Sequence, residues 1–110
     1  MRVYFPEDPK GDITIIFKEG SYKLQKAFLR LYSNYFKTHI SFTSNVLQLN
    51  ANVDEDIVRN ILSCFYGCSI EIQRSDVIEY FKVAKFFQID SLEKLLRNDM
   101  IKNGQYYNIF

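Results

Sequence analysis

Residues 54–72, DEDIVRNILSCFYGCSIEI, predict the element on which the rest of the fold packs. Asp54, Glu55 and Asp56 place negative charge at the positive end of a helix dipole, and the Asp54 side chain can cap free backbone N–H groups. The apolar residues of this stretch cover two adjacent helix faces: Ile57, Val58, Ile61, Leu62, Cys64, Phe65 and Tyr66. Because this arc is wider than the stripe of a surface helix, we expect the helix to be buried between other elements.

The residues around this helix predict the remaining elements. Gly67 stands where a left-handed helix cap is needed, and residues 70–72 alternate as a short strand does. The other predicted elements are strands at 12–17, 22–24 and 46–49, short helices at 26–31 and 33–37, and longer helices capped by Ser75 and Asp90. In the first short helix we expect Leu24, Phe28 and Leu31 to face inward.

This order of elements predicts an α+β fold in which a small three-stranded sheet caps a cluster of about five to six helices. We expect residues 1–11 to form an N-terminal extension with an edge strand, and residues 12–102 to form the domain. Residues 103–110 either pack back on the domain or begin a further helix, because Tyr106, Tyr107 and Phe110 are too apolar for a solvated tail.

Composition excludes several classes of protein. The 110 residues are 47% hydrophobic and 25% charged, with a net charge of +1, which is ordinary for one globular domain and too balanced for general attraction to nucleic acid or membrane. No apolar run approaches the ~20 residues that cross a bilayer, and the N-terminus lacks the apolar core of a signal peptide. With only two cysteines, the chain is expected to be cytoplasmic or nuclear.

The residue types needed for catalysis are not assembled in the sequence. His39 is the only histidine, and together with Cys64 and Cys68 it provides too few ligands for a zinc site. No phosphate-binding loop, nucleophile elbow or metalloprotease motif is present, and the four glycines are isolated. We therefore expect no enzymatic activity, no cofactor and no metal.

One stretch has an uneven charge. Between Gly20 and Val53 there is no acidic residue, whereas Lys23, Lys26, Arg30 and Lys37 are basic. The ordinary interpretation is a solvated face whose counter-charges come from elsewhere in the fold. The alternatives are a patch for an acidic partner or, more remotely, a nucleic-acid-binding face across residues 23–37.

Five segments in the correct order resemble the BTB/POZ domain, and they cover residues 12–100. They are Asp12-Ile13-Thr14-Ile15; Tyr22-Lys23-Leu24-Gln25-Lys26; Leu29, Ser33 and Tyr35-Phe36; Leu62 with Phe65-Tyr66-Gly67 and Ile70-Glu71-Ile72; and the segment from Ala84 to Leu92. The resemblance implies a non-enzymatic protein–protein interaction module. In the family, the Tyr-Phe helix and the residues after it form a recruiting surface, so the expected protein-binding residues are Tyr35, Phe36, Lys37, Ile40 and Phe42.

The resemblance also implies two competing kinds of partner. BTB adaptors that recruit cullin-RING ubiquitin ligases carry an apolar-x-Glu motif at the place where this chain has Phe42-Thr43-Ser44, so the glutamate is missing. The alternative is a homodimer or larger self-assembly formed through Val3, Tyr4 and Phe5 as an exchanged strand, or through the apolar C-terminal segment 106–110. The usual dimerisation helix has no room before residue 12, and Gln25 replaces the histidine of the family pattern.

Overall fold

Five strands, five α-helices and one 3₁₀ turn make up the described part of the chain in the computed structural model, which covers residues 8, 10–49, 52–98, 101–102 and 104–107. In chain order they are β1 (Ile13–Phe17), β2 (Gly20–Leu24), α1 (Lys26–Tyr32), α2 (Asn34–His39), β3 (Val46–Gln48), α3 (Glu55–Phe65), β4 (Ile70–Glu71), a 3₁₀ turn (Arg74–Asp76), α4 (Val77–Phe86), α5 (Asp90–Arg97) and β5 (Tyr106–Tyr107). The segment Val3-Tyr4-Phe5 lies outside the described residues.

The first three strands form a sheet in the order β2-β1-β3. β1 pairs antiparallel with β2 and parallel with β3, and its residues Ile13, Ile15 and Phe17 are buried, as the apolar run predicts. A second sheet joins β4 and β5 in antiparallel fashion, with Ile70 opposite Tyr107. Tyr106 and Tyr107 therefore form a short strand against β4, in which Tyr107 is partly buried and Tyr106 is 57% exposed.

Helix α3 is the buried central element that its sequence predicts. Every residue from Ile57 to Phe65 except Asn60 is buried. The Asp54 carboxylate accepts the N–H groups of Asp56 at 2.9 Å and Ile57 at 3.4 Å, which confirms the predicted cap. After the helix, Gly67 has a φ of 90°, in the left-handed region that glycine adopts without strain. The predicted α+β arrangement of a three-stranded sheet on a helical cluster is confirmed.

Three local predictions were wrong because tertiary packing moved the helix ends and faces. Leu31 is 68% exposed, and Leu29 on the opposite side of α1 is buried instead. Ser75 lies inside the 3₁₀ turn, so α4 begins two residues later without a side-chain cap. Asp90 is the first residue of α5, and the start of this helix has no side-chain cap. Gln88 takes a φ of 53° after α4, and Ile89 then occupies the cap position of α5.

Candidate protein-interaction surface

Helix α2 is held to the body by one face, and two of the predicted partner contacts lie on that face. The Ser33 hydroxyl accepts the N–H of Phe36 (3.2 Å) and donates to the carbonyl of Phe87 (2.5 Å), so it caps α2 and ties it to the end of α4. The Phe36 ring is fully buried and stacks on Phe87 with centroids 5.1 Å apart, and Ile40 is 1% exposed. Phe36 and Ile40 are therefore core residues, because their helical spacing puts both on the face that packs inward.

The other face of α2 carries a set of packed rings at the surface. Tyr35 is half-buried, stacks on His39 with centroids 4.1 Å apart, and contacts Phe86 at 5.0 Å. His39 Nδ1 lies 2.8 Å from the Tyr35 carbonyl oxygen, which fixes the imidazole over the tyrosine. Phe86 is 39% exposed, and Lys37 is exposed about 200° around α2 from Tyr35. We call Tyr35, His39 and Phe86 the aromatic seam.

Phe86 was missed by the sequence analysis, although it completes the aromatic seam. The neighbouring residues Phe86 and Phe87 meet edge to face at 4.9 Å, and one ring is at the surface while the other is in the core. Both fall within the broad apolar arc of the α4 sequence. The only sign of this in the sequence was that Phe86 and Phe87 are consecutive. Consecutive residues of a helix point about 100° apart, so the two rings cannot both face the core fully.

A short turn after α2 presents a single exposed ring. Residues 41–44, the Phe42 turn, are closed by hydrogen bonds from the Ser44 N–H to the Ser41 carbonyl (3.2 Å) and from the Ser41 N–H to the Ser44 hydroxyl (3.1 Å). Lys26 Nζ donates to the Phe42 carbonyl at 2.9 Å and so attaches the turn to α1. The Phe42 side chain is 94% exposed. Of the five predicted contacts, Tyr35, Lys37 and Phe42 are thus accessible.

The start of the described chain is fastened by Asp8. Its carboxylate accepts the side-chain N–H of Gln25 (2.9 Å) and the hydroxyl of Tyr66 (3.2 Å), and its backbone N–H donates to the Lys23 carbonyl (3.1 Å). The hydrogen bonds from Gln25 and from the Lys10 backbone lower the pKa of Asp8, whereas burial raises the pKa of Tyr66 to about 12. Gln25 and Tyr66 therefore hold Asp8 near the end of α3.

The second candidate site is an acidic cleft of about 250 Å³ between α3, β4 and α4. Three of its four acidic lining residues already have structural roles: Asp54 caps α3, Asp56 pairs with Arg59, and Glu71 accepts the Gln73 amide; the fourth is Asp76. Within the described ranges, no group of three or more His, Cys, Asp or Glu side chains is arranged to hold a metal ion. Hydrogen bonds and an ion pair within the domain therefore account for most of the acidic side chains of this cleft.

No helix in the described part of the chain is long and apolar enough to cross a membrane.

Comparisons with known proteins agree with this architecture. A family model described as BTB/POZ domain matches residues 7–104. A solved structure, the BTB domain of zebrafish PATZ1, aligns with a TM-score of 0.71 and 23% sequence identity, over 82% of this chain and 75% of that one. No curated protein sequence matches the chain. The resemblance found in the sequence is thereby confirmed, and at this identity the structural likeness shows a shared fold.

Proposed function

The chain belongs to the BTB/POZ domain family of protein–protein interaction modules, and we propose that it binds a partner through the Phe42 turn and the adjoining surface of α2. The observation that carries this proposal is the 94% exposure of Phe42 on a turn closed by its own hydrogen bonds. A phenylalanine in this position contributes little to the core. Its exposed aromatic surface is available to fill a pocket on another protein.

The surroundings of Phe42 suit a binding anchor. Ser41, Thr43 and Ser44 supply hydroxyls around the ring, and Lys26 supplies an amino group at its base. Anchors of interfaces are commonly apolar groups ringed by polar residues that exclude water when the complex forms. Tyr35 and Lys37 extend this surface along α2.

We propose a cullin scaffold as the first partner to test, because the family resemblance places Phe42-Thr43-Ser44 at the position of the cullin-recruiting motif. Ser44 replaces the expected glutamate, and its hydroxyl is engaged with Ser41 inside the turn. The chain therefore offers the apolar half of the motif without its negative charge. On this basis binding to a cullin is expected to be weaker than that of an adaptor with the complete motif.

A calorimetric titration with a cullin N-terminal domain of the BTB-recruiting type tests this proposal. Phe42→Ala is expected to weaken binding by about 1–3 kcal/mol, and Ser44→Glu to strengthen it by restoring the carboxylate. Ile78→Ala is the matched control, because Ile78 is also an exposed apolar residue, 70% accessible, but lies on α4. Equal affinities for the wild type and Phe42→Ala would exclude Phe42 as the anchor.

The alternative is a homo-oligomerisation module that does not bind a cullin. Among the described residues β5 pairs only with β4, which leaves its other edge open to a strand from a second chain. We propose Val3, Tyr4 and Phe5 as that strand. Removal of residues 1–7, with Asp8 kept in place, is expected to reduce the mass measured by light scattering if the strands exchange. An unchanged mass would exclude this mode of association.

A further inference from the structure

Four cations, Lys23, Lys26, Arg30 and Lys37, form no ion pair with an acidic side chain among the described residues. The stretch from Gly20 to Val53 contains no aspartate or glutamate. The ion pairs found between described residues are Arg59–Asp56, Lys82–Glu79 and Arg97–Glu93, and none of them involves Lys23, Lys26, Arg30 or Lys37. Counter-charges from elsewhere in the fold therefore do not pair with these cations within the part of the chain that the structure describes.

One of these cations contacts the proposed anchor, and a second lies beside it on α1. Lys26 Nζ is bonded to the Phe42 carbonyl, so a positive charge lies at the base of the exposed ring. Arg30 follows one helical turn later and therefore lies on the same side of α1. The nearby Asp12 carboxylate accepts the backbone N–H of Lys26 at 2.8 Å and serves as the cap of α1. An apolar anchor and at least two unpaired cations thus share one surface.

The rest of the molecule has the opposite charge. Residues outside 20–53 carry ten basic and thirteen acidic side chains, a net charge of −3 against +4 within that stretch. Such an asymmetry orients the protein toward a negatively charged partner and raises the rate of encounter.

We propose that the partner that receives Phe42 is a protein with an acidic rim, whose carboxylates pair with Lys26, Arg30 and Lys37 around an apolar pocket. This inference rests on the proposed docking role of Phe42, and it adds the charge of the partner and the residues that recognise it. The contribution of these cations is expressed mainly in the association rate, which falls as salt screens the charges.

Nucleic acid is the less suitable polyanion for this surface. Binding of single strands relies on aromatic rings that are free to stack on bases. Here the Tyr32 ring packs against Phe65 at 5.1 Å, and Tyr35 is covered by His39 and Phe86. These two tyrosine rings are engaged within the domain, so the exposed Phe42 is a single ring beside the cations, whereas a single-stranded nucleic acid stacks successive bases on several rings.

The test uses a short oligoglutamate peptide as the probe, with binding followed by amide chemical-shift changes at low and high salt. The peptide is expected to shift residues of α1 and of the Phe42 turn, and the shifts are expected to disappear at high salt. Lys26→Glu with Arg30→Glu should raise the dissociation constant about tenfold or more. The control is Lys85→Glu with Lys94→Glu, which makes the same change in net charge on the exposed surfaces of α4 and α5.

Equal weakening by both charge-reversal pairs, or an absence of binding to the wild type, would overturn the inference. Tighter binding of an oligothymidylate of equal charge would also overturn it in favour of nucleic acid. Lys26→Gln with Arg30→Gln gives a second measurement if the glutamate variants unfold. Phe42→Ala should retain oligoglutamate binding, so a failure of the Phe42 anchor and a failure of the acidic-partner inference give different results.

Discussion

Phe36 and Phe42 provide a direct test of how this segment divides between core and surface. Phe36 is 0% exposed and packs against the rings of Phe87 and Tyr35, whereas Phe42 is 94% exposed on its turn. Phe36→Ala removes a complete buried ring and leaves a cavity between α2 and the end of α4. A buried phenylalanine truncated to alanine costs about 3–5 kcal/mol, whereas a surface change costs within about 0.5 kcal/mol.

The size of the expected effect makes the measurement decisive. A domain of this length has a total stability of roughly 5–15 kcal/mol, so Phe36→Ala would remove a large share of it. With a urea dependence of about 2 kcal/mol per molar, the unfolding midpoint should fall by about 2 M for Phe36→Ala and by at most about 0.3 M for Phe42→Ala. Circular dichroism during urea titration measures both midpoints, and Phe36→Leu serves as a milder control that retains most of the buried volume.

Two outcomes would refute this assignment. If the free energy of unfolding of Phe36→Ala lay within about 1 kcal/mol of the wild-type value, the Phe36 ring would not be part of the core. If Phe42→Ala lowered stability by more than about 1 kcal/mol, its exposed position and its proposed role as an anchor would both be wrong.

Three further predictions concern the polar and titratable groups of the fold. Ser33→Ala removes the cap of α2 and its hydrogen bond to the end of α4, and it should lower the free energy of unfolding by about 1–3 kcal/mol in the same urea assay. The hydrogen bond from Gln25 depresses the pKa of Asp8 below the ordinary 3.8. The stabilisation that the Asp8 carboxylate provides is therefore present at pH values above 3.8 and is lost as the pH falls through the lower pKa of the folded state. As the pH is lowered through the acidic range, the urea midpoint of Asp8→Asn should therefore fall less steeply than that of the wild type. Burial raises the pKa of the Cys64 thiol to about 12, so mass spectrometry after brief alkylation should find the adduct on the partly exposed Cys68 in the native protein and on both cysteines in urea.

The sequence predicted five protein-binding residues, and the structure divides them between the core and the surface. The residues of the Tyr-Phe helix were assigned to one binding surface, yet Phe36 and Ile40 face the core, and Tyr35 and Lys37 face outward. A helical repeat tells which residues share a face, but the identity of the buried face depends on what packs against it. In this case Phe87, more than fifty positions away in the chain, provides that packing.

Strand pairing also depends on contacts between residues that are distant along the chain. The strand at residues 46–48 was expected from its composition, whereas its parallel pairing with β1 was not, because pairing direction depends on how the intervening chain returns. The C-terminal segment was expected either to pack back on the domain or to begin a helix; in the structure Tyr106–Tyr107 pairs with β4, with Tyr107 partly buried and Tyr106 57% exposed.

The sequence by itself determined the features that depend on near neighbours along the chain: the buried helix α3 with its Asp54 cap, the Ser33 cap of α2, the left-handed Gly67 and the order of segments that marks the BTB/POZ family. Tertiary structure alone decided which of two similar aromatic residues became core and which became surface, for Phe36 against Phe42 and for Phe87 against Phe86. Capping and helical period act over a few residues, whereas burial is a property of the complete packed body. The exposed ring and the unpaired cations beside it therefore emerge only when the whole chain is folded.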